Sequence, residues 1–208
     1  MSESICHMTH IRNLPLVLTK GGLWCDRETK QHSLTQQEIG HAHIKERRSR
    51  CPVTVGPCGL LWDYVPFYFH HHSPMLYAIY RGGVDGYAGG QGEVIYLTSS
   101  TDLVGANDLP FVFTDGSAVM ALTEQYQDLS DLNKLDWTTI RATYWTNTQD
   151  DGDRTRRKQA EFLVYDYVPW PVITGIVVKT QAMADQVAAH LQGQSHIPKI
   201  QILPAWYY

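Results

Sequence analysis

Apolar positions in this chain come in short alternating or continuous stretches separated by polar turns, a pattern that predicts many strands and few long helices. "ESICHMTHI" (3–11), "EVIYLTSS" (93–100), "PFVFTDG" (110–116), "AEFLVYDYVPW" (160–170), "VITGIVVKT" (172–180) and "KIQIL" (199–203) each predict a strand. "DYVPFYF" (63–69) is strand-like, but Pro66 lacks an N–H and is expected to confine it to an edge or a bulge. Helical spacing is clear in "QAMADQVAAHLQG" (181–193). It is also expected in "NLPLVLTKGGL" (13–23), where Asn13 can cap, Pro15 falls in the first turn and Gly21-Gly22 ends the segment. "LTQQEIGHAHIKERRSR" (34–50) has helical character broken at Gly40 and closed by Pro52, and residues 117–141 carry mostly helical patterning. "CPVTVGPCGLLW" (51–62) is irregular, "HHHSPMLYAIYRGG" (70–83) has no decisive period, and "GGVDGYAGGQG" (82–92) is a glycine-rich loop. Strands and helices mix without regular βαβ alternation, so the expected class is α+β, with no internal repeat or linker dividing residues 1–208.

Length changes little: 208 residues fit one large domain with a proper core. No stretch approaches the roughly 18 apolar residues of a membrane span, and the N-terminus lacks a basic and an apolar signal region, so a soluble cytoplasmic protein is expected. The net charge of −4 argues against a general phosphate-binding surface. Basic residues instead cluster at His43–Arg50 and Arg154–Lys158, which points to local anion sites or simply to two solvated runs. Cys6, Cys25, Cys51 and Cys58 show no CxxC spacing, and His41, His43 and His70–His72 no HxxxH, so reduced thiols and no metal are expected.

GxSxG, a Walker lysine loop and GxGxxG are all absent, which removes the commonest hydrolase, P-loop and Rossmann readings. Three polar constellations remain. His7 and Thr9 share one face of the first strand, just before a helix N-terminus, an arrangement suited to a ribose or a phosphate. Arg47, Arg48 and Arg50 supply guanidinium forks that fit a diphosphate. Glu161 stands at the mouth of an apolar strand, where a carboxylate is either solvated or at work in a cleft. With no nucleophile paired to a base, the carboxylate reads best as a stabiliser of positive charge developing on a sugar.

"HMTHIRNLPLVLTKGGL", "IGHAHIKERR", "DYVPFYFHHHSPMLYAI", "PFVFTDG" and "RKQAEFLVY" together resemble the DarT toxins, DNA ADP-ribosyltransferases of bacterial toxin–antitoxin systems, in the right order over nearly the whole chain. The resemblance implies an ADP-ribosyltransferase fold, with two small sheets around a cleft that holds NAD+ as ADP-ribose donor. It implies Glu161 of "QAE" as catalytic glutamate and Arg48, fixed by counting from Ile39-Gly40 and from Pro52-Val53, as catalytic arginine, with Arg47 the alternative. His7, Met8, Thr9 and Leu16 would bind NAD+ beside Arg48, residues 117–160 would form the target-recognition loop, and Tyr64, Tyr144, Trp145 and His72 would contact single-stranded DNA. The resemblance leaves open whether Arg48 acts as a base or only positions NAD+. The acceptor would be thymine in a short motif, with guanine, RNA, protein or an inactive binding module as alternatives. A DarG-like macrodomain antitoxin on a separate chain is the implied partner. His70-His71-His72 departs from many relatives and would make a phosphate contact there pH-dependent.

Overall fold

The computed structural model describes residues 2–208. Its twelve strands are β1 (Ser4–His10), β2 (Gly22–Trp24), β3 (Pro52–Val53), β4 (Gly59–Leu60), β5 (Tyr64–Tyr68), β6 (Val94–Ser100), β7 (Phe111–Thr114), β8 (Gln125–Tyr126), β9 (Glu161–Tyr165), β10 (Tyr167–Pro169), β11 (Gly175–Val178) and β12 (Lys199–Ile202). Its α-helices are α1 (Leu14–Thr19), α2 (Asp26–Gln31), α3 (Ala42–Arg48), α4 (Pro74–Tyr80), α5 (Thr101–Ala106), α6 (Trp137–Arg141), α7 (Arg154–Arg157) and α8 (Gln181–Leu191). None of them is long and apolar enough to cross a membrane.

Eight strands join in the order β12-β11-β6-β1-β5-β9-β7-β8, and β10-β2 and β3-β4 form small separate pairs. The α+β class is as expected, but the two sheets of the expectation are halves of one. β1 meets β6 along seven paired positions, yet it meets β5 at the single pair Cys6↔Tyr68. The ladder opens on either side of that row, and the cleft forms where the halves splay. Each half keeps its own antiparallel ladder, apart from β11 and β12, which are parallel and linked through α8.

This opening explains why Pro66 sits in an interior strand, contrary to expectation. Pro66 pairs with Leu163 of β9, and its carbonyl is taken by the His7 side chain of β1. In an antiparallel strand the N and O of one residue point to the same side, so the missing N–H faces the gap where no ladder bond is needed. "AEFLVYDYVPW" is likewise not one strand. Asp166 adopts a left-handed φ of 61°, tolerated by Asp, and turns the chain from β9 into β10. There β10 pairs with β2 so closely that a Cβ on Gly22 would lie 2.1 Å from the Val168 carbonyl oxygen.

Alternation along the strands feeds three apolar clusters, the smallest of them built on Tyr64, Val112 and Leu163 with Val53 and Leu61. Ile5, Leu97, Phe162 and Ile176 pack with Val187 and Leu191 of α8, while Cys6, Met8, Tyr96 and Val177 pack with Leu76 and Ile79 of α4. Helix α4 had no decisive signal in the sequence; Ser73 caps it by accepting from the Leu76 N–H, and Pro74 opens its first turn. Residues 117–141 hold little α-helix: the short strand β8 and a 3-10 helix over Leu129–Lys134 precede α6. Leu129, Leu132 and Leu135 share one period-three face, which a 3-10 turn satisfies as well as an α-helix does.

Candidate active site

Glu161 is the first residue of β9 and lies opposite Tyr68, so the row that joins the sheet halves also carries the carboxylate. Arg48 ends α3, where a cation suits the carbonyl end of the helix dipole. Its Nη1 donates to Glu161 Oε2 at 2.7 Å, and both side chains are over nine-tenths buried. The other Glu161 oxygen accepts the Ala118 N–H at 3.1 Å, and the Glu161 backbone N–H donates to Thr114 Oγ1 at 3.1 Å. Four structural elements therefore converge on this one residue, two of them through donors to its carboxylate. Arg47 and Arg50 are exposed, and Arg50 is paired with Glu46 on the helix surface.

Nε and Nη2 of Arg48 are buried without a hydrogen-bond partner. An unsatisfied buried donor costs about 1–3 kcal/mol, and Arg48 lies in the wall of a cavity of about 480 Å³ that is also lined by His7, Thr9, Leu16, Tyr68 and Glu161. That volume lies in the range of small-molecule sites. Burial works against the Arg48 charge, but Glu161 and Asp26 outweigh it and hold the guanidinium above its ordinary pKa. In this geometry Arg48 acts on Glu161 as a hydrogen-bond donor and a neighbouring positive charge.

The opposite wall comes from β1. His7 Nδ1 lies 2.8 Å from the Pro66 carbonyl oxygen. A carbonyl only accepts, so Nδ1 carries the proton and Nε2 is the free acceptor. Burial pulls the His7 pKa down, which the Pro66 contact only partly offsets, so the ring is neutral near pH 7. Met8 also lines the cavity, as does Leu16 from α1. Asn13 stands at the N-terminus of α1 without capping it. Instead its amide donates to Thr9 Oγ1 and the Gln37 carbonyl, and its Oδ1 accepts from the Gln36 and Gln37 N–H groups. The strap over residues 33–41 is thereby tied to β1, a role that nothing in the local sequence signals. Beside it Lys45 bridges Asp26 at 2.9 Å and Glu38 at 2.6 Å.

The residues expected to touch DNA separate. Tyr64 is fully buried, its hydroxyl donating to the Cys58 carbonyl, so it belongs to the core and cannot stack on a base. Tyr144 is 86% exposed. Trp145 donates through Nε1 to the Tyr208 hydroxyl, and the Tyr208 ring lies 4.9 Å from His72, 5.2 Å from Tyr77 and 5.9 Å from Tyr80. Sequence reasoning missed Tyr77, Tyr80 and Tyr208; the i,i+3 tyrosines of "MLYAIY" were the available signal once that segment is read as a helix.

His70, His71 and His72 bring potential ligand atoms within 4.8 Å of one another. Lys158 Nζ lies 3.3 Å from His70 Nδ1 while donating to the Ile140 and Ala142 carbonyls, so an ammonium already stands where a cation would be drawn. Burial, followed by the Lys158 charge, lowers His70 to about 4, and burial with the neighbouring imidazoles lowers His71 to about 3. Burial lowers His72 as well, so the turn is uncharged at physiological pH and the pH-dependent phosphate contact falls away. Acid stability should show this. Unfolded histidine takes up a proton near pH 6.5, the folded rings only well below that, so stability is lost as pH falls from about 6.5. His71→Phe, which preserves the stack on Trp206, is expected to flatten the fall of Tm between pH 6.5 and 4; an unchanged slope would disprove the assignment.

Comparison with known proteins places this architecture. A family model described as "DarT: ssDNA thymidine ADP-ribosyltransferase, DarT" matches residues 6–208. A "DNA ADP-ribosyl transferase" of Thermus sp. (strain 2.9) is 42% identical, covering 98% of this chain and 95% of that protein. Thermus sp. 2.9 DarT solved in complex with ADP-ribosylated ssDNA superposes with a TM-score of 0.93 at 40% identity over 99% of this chain and 96% of that one. Its NAD+ complex superposes with a TM-score of 0.89 at 38% identity, over 99% and 98%. A Thermosipho africanus "DNA ADP-ribosyl transferase-DNA ADP-ribosyl glycohydrolase fusion protein" is 24% identical over 97% of this chain but only 48% of its own length. The class defined by fold and site is that of the ADP-ribosyltransferases that use NAD+ to modify DNA. Within it, the chain belongs to the DarT family.

Proposed function

We propose that this protein transfers ADP-ribose from NAD+ to a thymine base of single-stranded DNA, and that Glu161 and Arg48 carry the reaction. The observation that bears most weight is the buried Arg48–Glu161 pair at the edge of a cavity, with two guanidinium donors left unpaired. Those donors fit the diphosphate of NAD+. The neutral His7 Nε2, with Thr9, fits a ribose hydroxyl or a carboxamide, and Met8 and Leu16 offer apolar contact to the rings. Cleavage of the ribose–nicotinamide bond develops positive charge on the ribose. Glu161, its carboxylate oriented by Ala118 N–H and Arg48, supplies the compensating negative charge and a hydrogen-bond acceptor for the 2′-hydroxyl.

Flanking bases would stack on the aromatic surface that holds Trp145 and His72, with Tyr144 exposed beside it. The fused glycohydrolase of the Thermosipho relative supports a reversing macrodomain partner, which here would be a separate DarG-like chain, acting with this protein in the cytoplasm.

The test is incubation with NAD+ and oligonucleotides that differ only in base content, read by mass. Thymine-containing single strands should gain ADP-ribose and thymine-free ones should not. Annealing the complement should lower labelling at least about tenfold, because extracting a paired base costs a few kcal/mol and a chain of net charge −4 has little general phosphate affinity to offset it. Equal labelling of duplex and single strand would overturn the single-strand assignment, and labelling of thymine-free strands the thymine assignment.

A further inference from the structure

The segment that joins β7 to β9 begins and ends against a single side chain, Arg156. Its Nε donates to Asp153 Oδ1 at 2.8 Å, and its Nη2 to Asp153 Oδ2 at 2.8 Å. On the far side of the guanidinium, Nη1 donates to Asp115 Oδ1 at 2.8 Å and Nη2 to Asp115 Oδ2 at 3.1 Å, a two-pronged carboxylate contact. Nη1 also reaches Thr123 Oγ1 at 3.2 Å, and the Arg156 carbonyl accepts the Ser117 N–H at 2.9 Å. Both ends of the turn over residues 115–123 are therefore fixed to one residue of α7. The turn closes on itself as well, because Thr123 Oγ1 donates to the Ser117 carbonyl and the Glu124 N–H to Asp115 Oδ1. Gly116 lies so close that an added Cβ would sit 2.5 Å from Arg156 Nη1 and 3.0 Å from the Arg156 carbonyl oxygen.

What this turn presents is the Ala118 N–H, which donates to Glu161 Oε1, while Arg48 holds Oε2. Two donors at fixed points set the plane of a carboxylate; one donor leaves it free to rotate. We infer that Arg156 is a positioning residue for the transfer reaction: it holds the 115–123 turn so that Ala118 N–H fixes the orientation of Glu161. The inference rests on the reading of Glu161 as the catalytic carboxylate. Removing the guanidinium leaves Asp115 and Asp153 as neighbouring carboxylates without the cation that joins them, so the turn relaxes and the Ala118 donor withdraws. The turn contributes Ser117 and Val119 to the rim of the cavity, but the walls built by β1, α1 and α3 do not pass through Arg156, so NAD+ binding should suffer much less than turnover.

The test measures oligonucleotide ADP-ribosylation by Arg156→Ala, Arg156→Lys, Asp115→Asn, Gly116→Ala and, alongside them, Glu161→Gln, with Tm recorded for each. Loss of one oriented donor to a reacting charge lowers kcat by roughly 10²-fold, so Arg156→Ala and Arg156→Lys are expected to lose about that factor in kcat with KM for NAD+ changed less than about twofold. Free guanidinium added to Arg156→Ala should restore part of the rate. Gly116→Ala should reproduce the kcat loss without altering any charge, and it decides the matter with Asp115→Asn if Arg156→Ala does not fold. A purely structural arginine would lower Tm but leave kcat of the folded protein within about twofold of wild type in these variants, and that result, or a loss confined to KM, would overturn the inference. If Glu161→Gln itself retained activity, the reading beneath would fail instead, so the two failures are told apart.

Discussion

Glu161→Gln is expected to remove transfer while keeping the fold. The amide can still accept the Ala118 N–H, and the shape of the side chain is preserved, but the negative charge beside the developing ribose cation is gone. Losing one oriented electrostatic stabiliser costs on the order of 10²–10³ in rate. A stability loss accompanies it, since Arg48 is left with an uncompensated buried charge, and breaking a buried pair costs about 3–5 kcal/mol where both groups are dry. The open cavity beside Arg48 should hold the effect at or below the lower end of that range. Mass analysis of a thymine-containing oligonucleotide and a melting curve on the same sample check both parts. More than about a tenth of the wild-type rate in a folded protein would remove Glu161 from the role, on the scale set by single oriented groups.

Arg48→Ala should weaken NAD+ binding and turnover together, whereas Arg47→Ala and Arg50→Ala stay close to wild type. Arg48 is the arginine of the three that is buried on the cavity, and two of its donors have no protein partner to lose. Each charge-assisted hydrogen bond contributes about 1.5–3 kcal/mol, so the dissociation constant for NAD+ should rise by roughly 10- to 100-fold. Arg50 is tied to Glu46 at the surface, a contact of a few tenths of a kcal/mol that bears on helix stability and not on the cavity. Calorimetric titration of the three variants separates them, and equal losses at Arg47 or Arg50 would move the role along the helix.

The strands were legible as short apolar runs bounded by polar turns, as in β1, β6 and β7, which are buried on both faces, and α8 was legible from its apolar stripe. What the sequence hid was decided by contacts distant along the chain. Pro66 spoke for an edge strand because the rule assumes a complete ladder, and only the opening beside β1 makes it admissible in the interior. Asn13 advertised a cap and instead ties down residues 36–37, a job set by a strap more than twenty positions away. Tyr64 looked like a stacking residue because an aromatic side chain carries no mark of which face it will occupy; here the strand turns it into the core. Glu161 stood out by its place at a strand mouth and the family resemblance singled out Arg48 from its basic run, and the geometry adds what neither could: a guanidinium with donors to spare and a carboxylate held at both oxygens.

His7 joins the two sheet halves by giving its ring proton to Pro66, where backbone bonding lapses, and it also lines the cavity. On the proposed reading of the cavity, one imidazole serves as a rivet in the scaffold and as a finger on the substrate. Its replacements are judged twice: asparagine could supply an amide to the carbonyl but not the reach of the ring, and an apolar residue would fill space while leaving both duties undone. A position under two independent demands has few acceptable alternatives, so the narrowness of choice at His7 comes from architecture as much as from chemistry.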